Sequence, residues 1–366
     1  MRHIEFLRYS LNPETELSLD SANIDWEGLY HFASEQAILG VVVEGVKRLK
    51  EKGVKLPIKQ FVTWIAAADD IAEQNKKINQ AVLRLTTKLK EKGQQTCILK
   101  GQGNNLLYPN VYARTPGDID VWVKHEGISE KEYIGKLIQY VKRKNHRGRV
   151  TYHHIEIGKI DGIDVELHIR PSFMNSPIHN HRLQKWFKDH AEEQFSNVVD
   201  LPENVGSICV PTFDFNLIYM LQHMFRHLFT EGIGLRQMLD YYFLITKENR
   251  CVERTVIKEQ LSYLGLWKFT RAVMYILQTV FGLEERLLIA EPDREEGEFL
   301  LNEILIGGNF GKYDTRLGSK ENEGIWHRYF RMTVRNMRYV THYPAEALFE
   351  PIFRSWKALN RLLRTL

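Results

Sequence analysis

The sequence predicts a mixed α/β protein in which a small sheet-containing core lies between two helical regions. Apolar residues recur at spacings of three and four from Trp26 to Glu91 and again from Pro211 onward, which is typical of amphipathic helices. Between these regions the period changes to short alternating runs, which is typical of strands. We therefore predict a helical N-terminal region (1–92), a core (93–205) and a helical C-terminal domain (206–366), which 366 residues can accommodate.

The predicted elements of the first half follow from apolar spacing and from glycines. "WEGLYHFASEQAILGVVVEGVKRLKEKG" has helical spacing and ends at Gly53, and the longer run that starts at "PIKQFVTW" ends at Gly93. "TCILKG" is a short apolar run ending in glycine, as a strand that enters a loop would be. "DIDVWV" predicts a second strand, and residues 129–144 predict a helix.

A hairpin and a second set of helices complete the prediction. "TYHHIEIGKIDGIDVELHIR" contains two alternating runs separated by Asp161 and Gly162, a dipeptide that favours a tight hairpin turn. "PTFDFNLIYMLQHMFRHLF" predicts a helix opening on a proline. The rest is predicted to be helical, apart from one loop-like segment, "GGNFGKYDTRLGSKENEG".

Charge and cysteine usage constrain the class of protein. The net charge is only +4, but residues 325–366 hold eight Lys or Arg and two Glu. Four of these basic residues lie near one helical face: Arg328, Arg331, Arg335 and Arg338. This face is either solvated or binds a phosphate-rich partner such as tRNA or a membrane surface. Three well-separated cysteines, no signal-peptide core and no apolar run long enough for a transmembrane segment lead us to expect a cytoplasmic protein.

Two acidic residues stand out in "RTPGDIDVWV". Residues two apart in a strand point to the same face, so Asp118 and Asp120 project together while Ile119 and Val121 point into a core. Two such carboxylates repel each other unless a cation lies between them. Hard divalent cations such as Mg²⁺ prefer carboxylate, phosphate and water oxygens. The pair therefore predicts a metal site.

The second strand of the predicted hairpin carries a further polar face. Asp164, Glu166 and His168 alternate with apolar residues and so share one side. If this strand lies beside "DIDVWV", a third carboxylate joins the first two. Three carboxylates can hold two metal ions about 4 Å apart, the arrangement used for in-line phosphoryl and nucleotidyl transfer. His168 is more readily interpreted as a supporting or structural group than as a ligand.

The segment "LKGQGNN" precedes the acidic strand. A strand that ends in Gly101-Gln102-Gly103 and enters a short helix offers backbone N–H groups to a phosphate. Lys100 and Arg114 add positive charge nearby. Lys100 could instead cap the strand, and Arg114 could brace the loop that carries the acidic pair.

These motifs together resemble a known family. "ILKGQGNNLLYP", "ARTPGDIDVWV" and "IDVELHIRPS" are similar to segments of the uncharacterised nucleotidyltransferase group, a branch of the DNA polymerase β-like nucleotidyltransferase superfamily. The resemblance is strongest from Cys97 to Ser172 and extends loosely to "GIGLRQMLD" (232–240). It implies a nucleotidyltransferase-like mixed sheet as the core.

The resemblance also implies roles for individual residues. Gly101 matches the signature glycine, Asp118 and Asp120 match the metal-binding pair, and Glu166 matches the third acid, with Asp164 as the alternative. Gln102 departs from the pattern, because the superfamily usually has serine there.

The implied activity is transfer of an NMP from an NTP, with ATP the first choice, to a hydroxyl group by two-metal, Mg²⁺-dependent attack on the α-phosphate. The acceptor stays open among a protein, a sugar, an antibiotic or other small molecule, and an RNA end. Two alternatives also stay open. One is a catalytically degenerate, antitoxin-like protein that binds nucleotide and regulates a partner, and the other is a metal-dependent phosphohydrolase.

Two pairs of helical residues complete the candidates. Arg236 and Asp240 are four apart and most simply form a helix salt bridge, although they could line the acceptor side. His223 and His227 have the same spacing, but no glutamate follows the first histidine as in a zinc-protease motif, so they are better interpreted as packed or partnered side chains.

Overall fold

The computed structural model describes residues 2–17, 24–125, 127–143, 150–249, 251–318 and 323–365. It confirms the mixed α/β class. Its helices are α1 (Arg2–Leu11), α2 (Trp26–Glu35), α3 (Leu39–Glu51), α4 (Ile58–Lys90), α5 (Gln102–Asn105), α6 (Glu130–Arg143), α7 (Pro177–Asp189), α8 (Ala191–Gln194), α9 (Phe213–Thr230), α10 (Leu235–Glu248), α11 (Arg254–Tyr263), α12 (Trp267–Phe281), α13 (Arg294–Gly307), α14 (Ile325–Met337) and α15 (Pro344–Thr365).

The strands are β1 (Gln94–Ile98), β2 (Ile119–His125), β3 (His154–Ile160), β4 (Ile163–His168), β5 (Val198–Asp200) and β6 (Ser207–Cys209). The first four form one mixed sheet and the last two form a small antiparallel ribbon. Across the described ranges, no helix is both long and apolar enough to cross a membrane.

The chain divides into two compact units, and both are discontinuous in sequence. The first comprises Met1–Lys76, Asn105–Pro116 and Glu231–Arg316, and the second comprises Lys77–Asn104, Gly117–Thr230 and Leu317–Leu366. The three-part division along the chain stays a prediction.

The first unit is helical. Its helices α1 and α3 pack against each other, as do α12 and α13, and its core includes Phe6, Val42 and Phe269, none of which is more than 1% exposed. A buried ion pair joins Arg114 to Asp240, with N–O distances of 2.8 and 2.9 Å.

The second unit contains the sheet, whose strand order is β1-β2-β4-β3. β1 is antiparallel to β2, β2 is parallel to β4, and β4 is antiparallel to β3. One face of the sheet is apolar and packs against the second half of α4 and against α6, through side chains such as Val121, Leu167, Val82 and Leu137. This packing fixes which side chains of each strand face the other way.

The opposite face of the sheet is partly polar and lies against α9. Trp122 of β2 stacks on Phe215 of α9 with ring centroids 5.9 Å apart. Asp120, Glu166 and His168 share this face, because Asp120 pairs with Glu166 and Trp122 pairs with His168 across β2 and β4.

Most of the local predictions are confirmed. The predicted strands and hairpin are present. Gly53 lies two residues after the end of α3 and Gly93 lies three residues after the end of α4, and both have positive φ, as helix-ending glycines do. Asp161 and Gly162 adopt φ values of 52° and 83°, the left-handed conformation of a two-residue hairpin turn. The predicted helix after Ser129 is α6, and its predicted last residue, 144, lies outside the described residues.

Candidate functional site

The centre of the candidate site is the parallel pairing of β2 with β4. Asp120 lies directly opposite Glu166 in the register, so two carboxylates from distant parts of the chain face each other. His168 Nε2 lies 2.8 Å from Asp120 Oδ1 and 3.3 Å from Glu166 Oε2. One imidazole therefore bridges the two acids, and it is buried beneath them with only 1% of its surface exposed.

Lys100 reaches one of these carboxylates, that of Asp120, from the end of β1. The Leu99 N–H donates to the Asp120 carbonyl at 3.1 Å, so the chain stays paired with β2 up to the residue before the lysine. Lys100 Nζ lies 2.8 Å from Asp120 Oδ2 and 2.9 Å from His223 Nε2. The lysine predicted to bind phosphate thus neutralises one of the acids.

The loop after Lys100 requires glycine for two different reasons. Gly101 has a φ of +54°, which L side chains rarely adopt. Gly103 is packed so closely that a Cβ would lie 3.0 Å from Val210 Cγ1, and its N–H donates to the Lys100 carbonyl at 3.1 Å. Gln102 is buried and its amide donates to Asn79 Oδ1 on α4, so the side chain that replaces the usual serine is tied to the helix behind the loop.

Asp118 lies just before β2 and is the exposed member of the acidic pair. The negative charge of Asp120, together with desolvation, raises the pKa of Asp118 to about 6. Although the residue keeps part of its surface in solvent, protein atoms surround the carboxyl group on most sides, and this crowding is consistent with the raised pKa. A cation placed between the two acids would relieve their repulsion.

The two facing acids are ionised despite their burial. Burial opposes ionisation of Asp120, but Lys100 and His168 outweigh it and hold the pKa of this acid well below its usual range. Burial likewise opposes ionisation of Glu166, and hydrogen bonds from His154 and His168 lower its pKa. The pKa of His168 is raised despite its own burial, because it donates to both acids.

Sequence reasoning missed a cluster of histidines and one arginine around these acids. His154 Nδ1 lies 2.8 Å from Glu166 Oε2 and 3.2 Å from His153 Nε2. Arg226 on α9 contacts His153 Nε2 at 2.9 Å and His227 Nε2 at 2.8 Å. The signals were the adjacent histidines of "TYHHIEIG" and the spacing of "HMFRH", which puts His223, Arg226 and His227 on one helical face.

The prediction that His223 and His227 are packed and partnered is consistent with their positions. Their Nε2 atoms lie 3.0 Å apart, both residues are buried, and His223 contacts Lys100. Burial and the neighbouring charge of Lys100 hold the pKa of His223 well below its usual range. We therefore expect a neutral imidazole behind the lysine.

The other predicted residues have partners of their own. Asp164 shares the face of Glu166 but is exposed and pairs with Lys159 at 3.2 Å. Arg114 and Asp240 form the buried ion pair of the first unit, where Tyr108 also donates to Asp240 at 2.6 Å. Arg236 donates to the Thr115 carbonyl at 3.1 Å in that unit. Their predicted roles toward nucleotide or acceptor stay predictions.

The donor set fits a divalent cation. Within the described chain, Asp120, Glu166 and His168 offer ligand atoms that lie within 4.8 Å of one another. Two of these are ionised carboxylates, and Asp118 adds a third whose pKa is raised by repulsion that a cation would remove. His168 Nδ1 is also buried without a hydrogen-bond partner. Carboxylates suit Mg²⁺, and His168, whose Nε2–H donates to two of them, would support these ligands rather than bind the ion.

The chain matches a known protein family. The sequence model of a family described as "uncharacterised nucleotidyltransferase" matches residues 22–282, more than two thirds of the chain. This range includes the glycine loop, all three acids and the histidine cluster. Neither a curated protein nor a solved structure matches the chain.

Proposed function

Because the chain belongs to the uncharacterised nucleotidyltransferase family, we propose that it transfers a nucleoside monophosphate from an NTP, with ATP the first choice, to a hydroxyl acceptor. One observation carries the proposal. The parallel register of β2 and β4 places Asp120 opposite Glu166, while Asp118 lies two residues before Asp120 and Lys100 contacts Asp120. A nucleotidyltransferase needs this combination of acids and a positively charged side chain on one face of a sheet.

The acids would hold two Mg²⁺ ions, with Asp118 and Asp120 binding one and Glu166 sharing the other. When bound, the ions would supply positive charge to the triphosphate and lower the pKa of the acceptor hydroxyl. The hydroxyl group would release its proton to solvent as its oxygen attacks the α-phosphorus, and pyrophosphate would leave with the electrons of the broken P–O bond. Lys100, whose side chain is 17% exposed, would balance the charge of the triphosphate as it balances Asp120.

The histidines would act by holding the acids in place. His168 donates to both Asp120 and Glu166, and His154 fixes the other side of the shared Glu166 oxygen. Supporting groups of this kind orient carboxylate ligands and set their basicity. His154 itself has a lowered pKa, because burial outweighs the effect of Glu166.

Thermal stabilisation by each of the four NTPs, with and without Mg²⁺, tests the proposal. A ligand that binds only the folded state raises its stability with the logarithm of its concentration. We expect a Mg²⁺-dependent shift with at least one NTP that Asp118→Asn/Asp120→Asn abolishes. The matched control is Asp189→Asn/Glu193→Gln, which removes two exposed charges from the same unit and should keep the shift.

Turnover of α-labelled nucleotide separates the three activities. A labelled adduct with release of pyrophosphate supports transfer to a hydroxyl acceptor. Labelled NMP without an adduct would identify a phosphohydrolase. Binding without turnover would identify the degenerate, regulatory alternative, and the absence of any NTP shift in the wild type would refute nucleotide binding altogether.

A further inference from the structure

The last two helices form an antiparallel hairpin in the second unit. The Asn336 side chain donates a hydrogen bond to Glu350, Thr333 Oγ1 accepts one from Arg354 at 2.7 Å, and Tyr329 Oη lies 3.1 Å from Ser355 Oγ. As the residue number falls along α14 it rises along α15, so the helices run in opposite directions. The arginine guanidinium also lies 4.3 Å from the centroid of the Tyr329 ring.

The inner face of the hairpin packs against other parts of the second unit. Arg335 and Asn336 donate to the carbonyls of Leu228 and Phe229 at 2.9 and 3.0 Å, at the end of α9. Glu346 accepts from the N–H groups of Asn175 and Ser176 at 2.6 and 3.2 Å. These contacts fix the rotation of both helices about their axes. They therefore also determine which residues of each helix face outward.

The outer face carries large apolar side chains that solvent reaches. On α14 these are Trp326 (76% exposed), Phe330 (63%), Val334 (54%) and Met337 (58%), and on α15 they are Leu348 (53%), Ile352 (62%), Trp356 (46%) and Leu359 (55%). Both sets follow the same spacing of four, four and three residues, which keeps each set on one side of its helix. We call these eight residues the outer stripe.

The two halves of the outer stripe face the same way. On α14, Phe330 and Val334 follow the contact residues Tyr329 and Thr333 by one position. On α15, Trp356 follows Ser355 by one position, whereas Ile352 precedes Arg354 by two, which is a larger rotation in the same direction about the helix axis. In an antiparallel pair, rotations in the same direction turn both stripes toward the same side of the hairpin. The hairpin therefore presents one continuous apolar surface.

The eight residues of the outer stripe carry no charge, and three of the arginines on the same two helices have partners within the unit. Arg331 pairs with Glu323 through an N–O distance of 2.8 Å, Arg354 pairs with Glu350 at 3.2 Å, and Arg335 is buried on the Leu228 carbonyl. Membrane-binding amphipathic helices instead direct Lys and Arg outward along the polar face. Interfaces between identical chains are more apolar than the rest of a protein surface, and the outer stripe has this character.

We propose that the outer stripe is the interface of a homodimer, in which two hairpins pack face to face about a two-fold axis as a four-helix arrangement. The exposed parts of the eight side chains amount to on the order of 1,000 Å² per chain, judged from the usual area of aromatic and aliphatic side chains. A stable interface buries about 800 Å² per partner, so the stripe alone is large enough. The spacing of three and four residues is that of helices packed in bundles.

Sedimentation velocity and light scattering of the full chain over a range of concentrations test the proposal. We expect a wild-type mass of twice 43.0 kDa. Phe330→Glu and Ile352→Glu should each place an uncompensated charge in the interface and weaken self-association by roughly 30-fold or more. The matched control is Ile178→Glu, because Ile178 is 63% exposed on α7 of the same unit, and this variant should stay dimeric.

Three results would overturn the homodimer. One is a wild-type chain that stays at 43.0 kDa at every concentration, which does not depend on any variant folding correctly. Another is a dimer that both stripe variants leave intact while their circular dichroism and melting match the wild type. The third is a monomer that binds vesicles of mixed phosphatidylglycerol and phosphatidylcholine through the stripe, which would assign the surface to a membrane.

Discussion

Asp118 and Asp120 are two residues apart, yet their pKa values move in opposite directions. Asp120 is buried against Lys100 and His168, which keep it ionised, whereas Asp118 faces the charge of Asp120, which raises its pKa to about 6. In the metal-free protein, ionisation is therefore less favourable for the exposed Asp118 than for the buried Asp120. Such repulsion between neighbouring acids is expected at a site that binds a cation, because the bound cation would remove it.

We expect Asp118→Asn to stabilise the metal-free protein at neutral pH while abolishing Mg²⁺-dependent NTP binding. The pKa of Asp118 is about 6 in the folded protein and near 3.9 in the unfolded chain, so its favourable contribution is complete below pH about 4 and lost as pH rises through 6. The gain at pH 7.5 should be roughly 1 kcal/mol, after allowance for solvent screening at an exposed residue.

Urea unfolding in EDTA at several pH values measures this difference. The gain over the wild type should shrink as pH falls from 7.5 and vanish below pH about 4. A variant that is less stable than the wild type at pH 7.5 without metal would show that the two acids do not repel each other as described.

His168 is expected to support the site through its hydrogen bonds. We expect His168→Leu to lower the free energy of unfolding by about 3 kcal/mol in metal-free protein, because it leaves Asp120 and Glu166 buried with one partner fewer. His168→Gln keeps an N–H donor and should lose only about 1 kcal/mol. Urea unfolding measures both, and equal losses would mean that the imidazole contributes through packing alone.

At the scale of elements, the β3–β4 hairpin places the third acid. The turn at Asp161 and Gly162 sets the antiparallel register of β3 with β4, and the parallel pairing with β2 brings Glu166 opposite Asp120. The apolar residues that alternate with the acids fix the face, because a slip of one residue would bury the acids in the core.

We expect Gly162→Ala to destabilise the protein by about 1 kcal/mol, since its φ of 83° strains any L side chain. Gly135→Ala is the matched control. Gly135 lies within α6, and apart from its chain neighbours and the backbone of its own helix no described atom lies within 4 Å of an added Cβ, so this variant should gain about 0.5–1 kcal/mol. Chemical denaturation tests the pair, and a loss in both variants would indicate that the turn is not the source of the strain.

The elements could be predicted from sequence because their signals are local. The alternation around Glu166, the hairpin dipeptide and the glycines after helices each concern a few neighbouring residues. The histidine cluster could not be predicted, because His153 and His154 meet Arg226 only through the packing of α9 on the sheet. The pairing of Arg114 with Asp240 is similarly non-local, whereas sequence reasoning offered Arg236 as the helical partner of Asp240.

At the scale of the whole molecule, chain order is a poor guide to the compact units. Each unit gathers three separate segments, and the residues of α4 are shared between them at Lys76 and Lys77. The C-terminal segment Leu317–Leu366 belongs to the unit that contains the sheet. Along the sequence, more than a hundred residues separate it from β4, and these include α9 and the last segment of the other unit, Glu231–Arg316. Periodicity along the sequence does not encode such long-range assignments.

The hairpin of α14 and α15 lies beyond residues 22–282, which the family model matches, yet its inner face completes the second unit. We expect a chain that ends at residue 324 to lose its cooperative unfolding or to aggregate. Removal of the hairpin would expose Phe225 and Phe229, because their ring contacts with Tyr343 and Tyr339 would be lost. It would also remove Glu346, which accepts hydrogen bonds from the N–H groups of Asn175 and Ser176. Each buried aromatic contributes about 3–5 kcal/mol, a large part of the total stability of a domain.

Ile352→Glu provides the comparison that separates the two faces of the hairpin. It changes only the outer stripe, so its urea midpoint, measured at a concentration where the wild type is also monomeric, should match the wild type. If the chain that ends at residue 324 also unfolded cooperatively at the wild-type midpoint, the inner face would not stabilise the unit. The same hairpin is thus expected to complete the fold through one face and to join two copies through the other, and the two variants measure these roles separately.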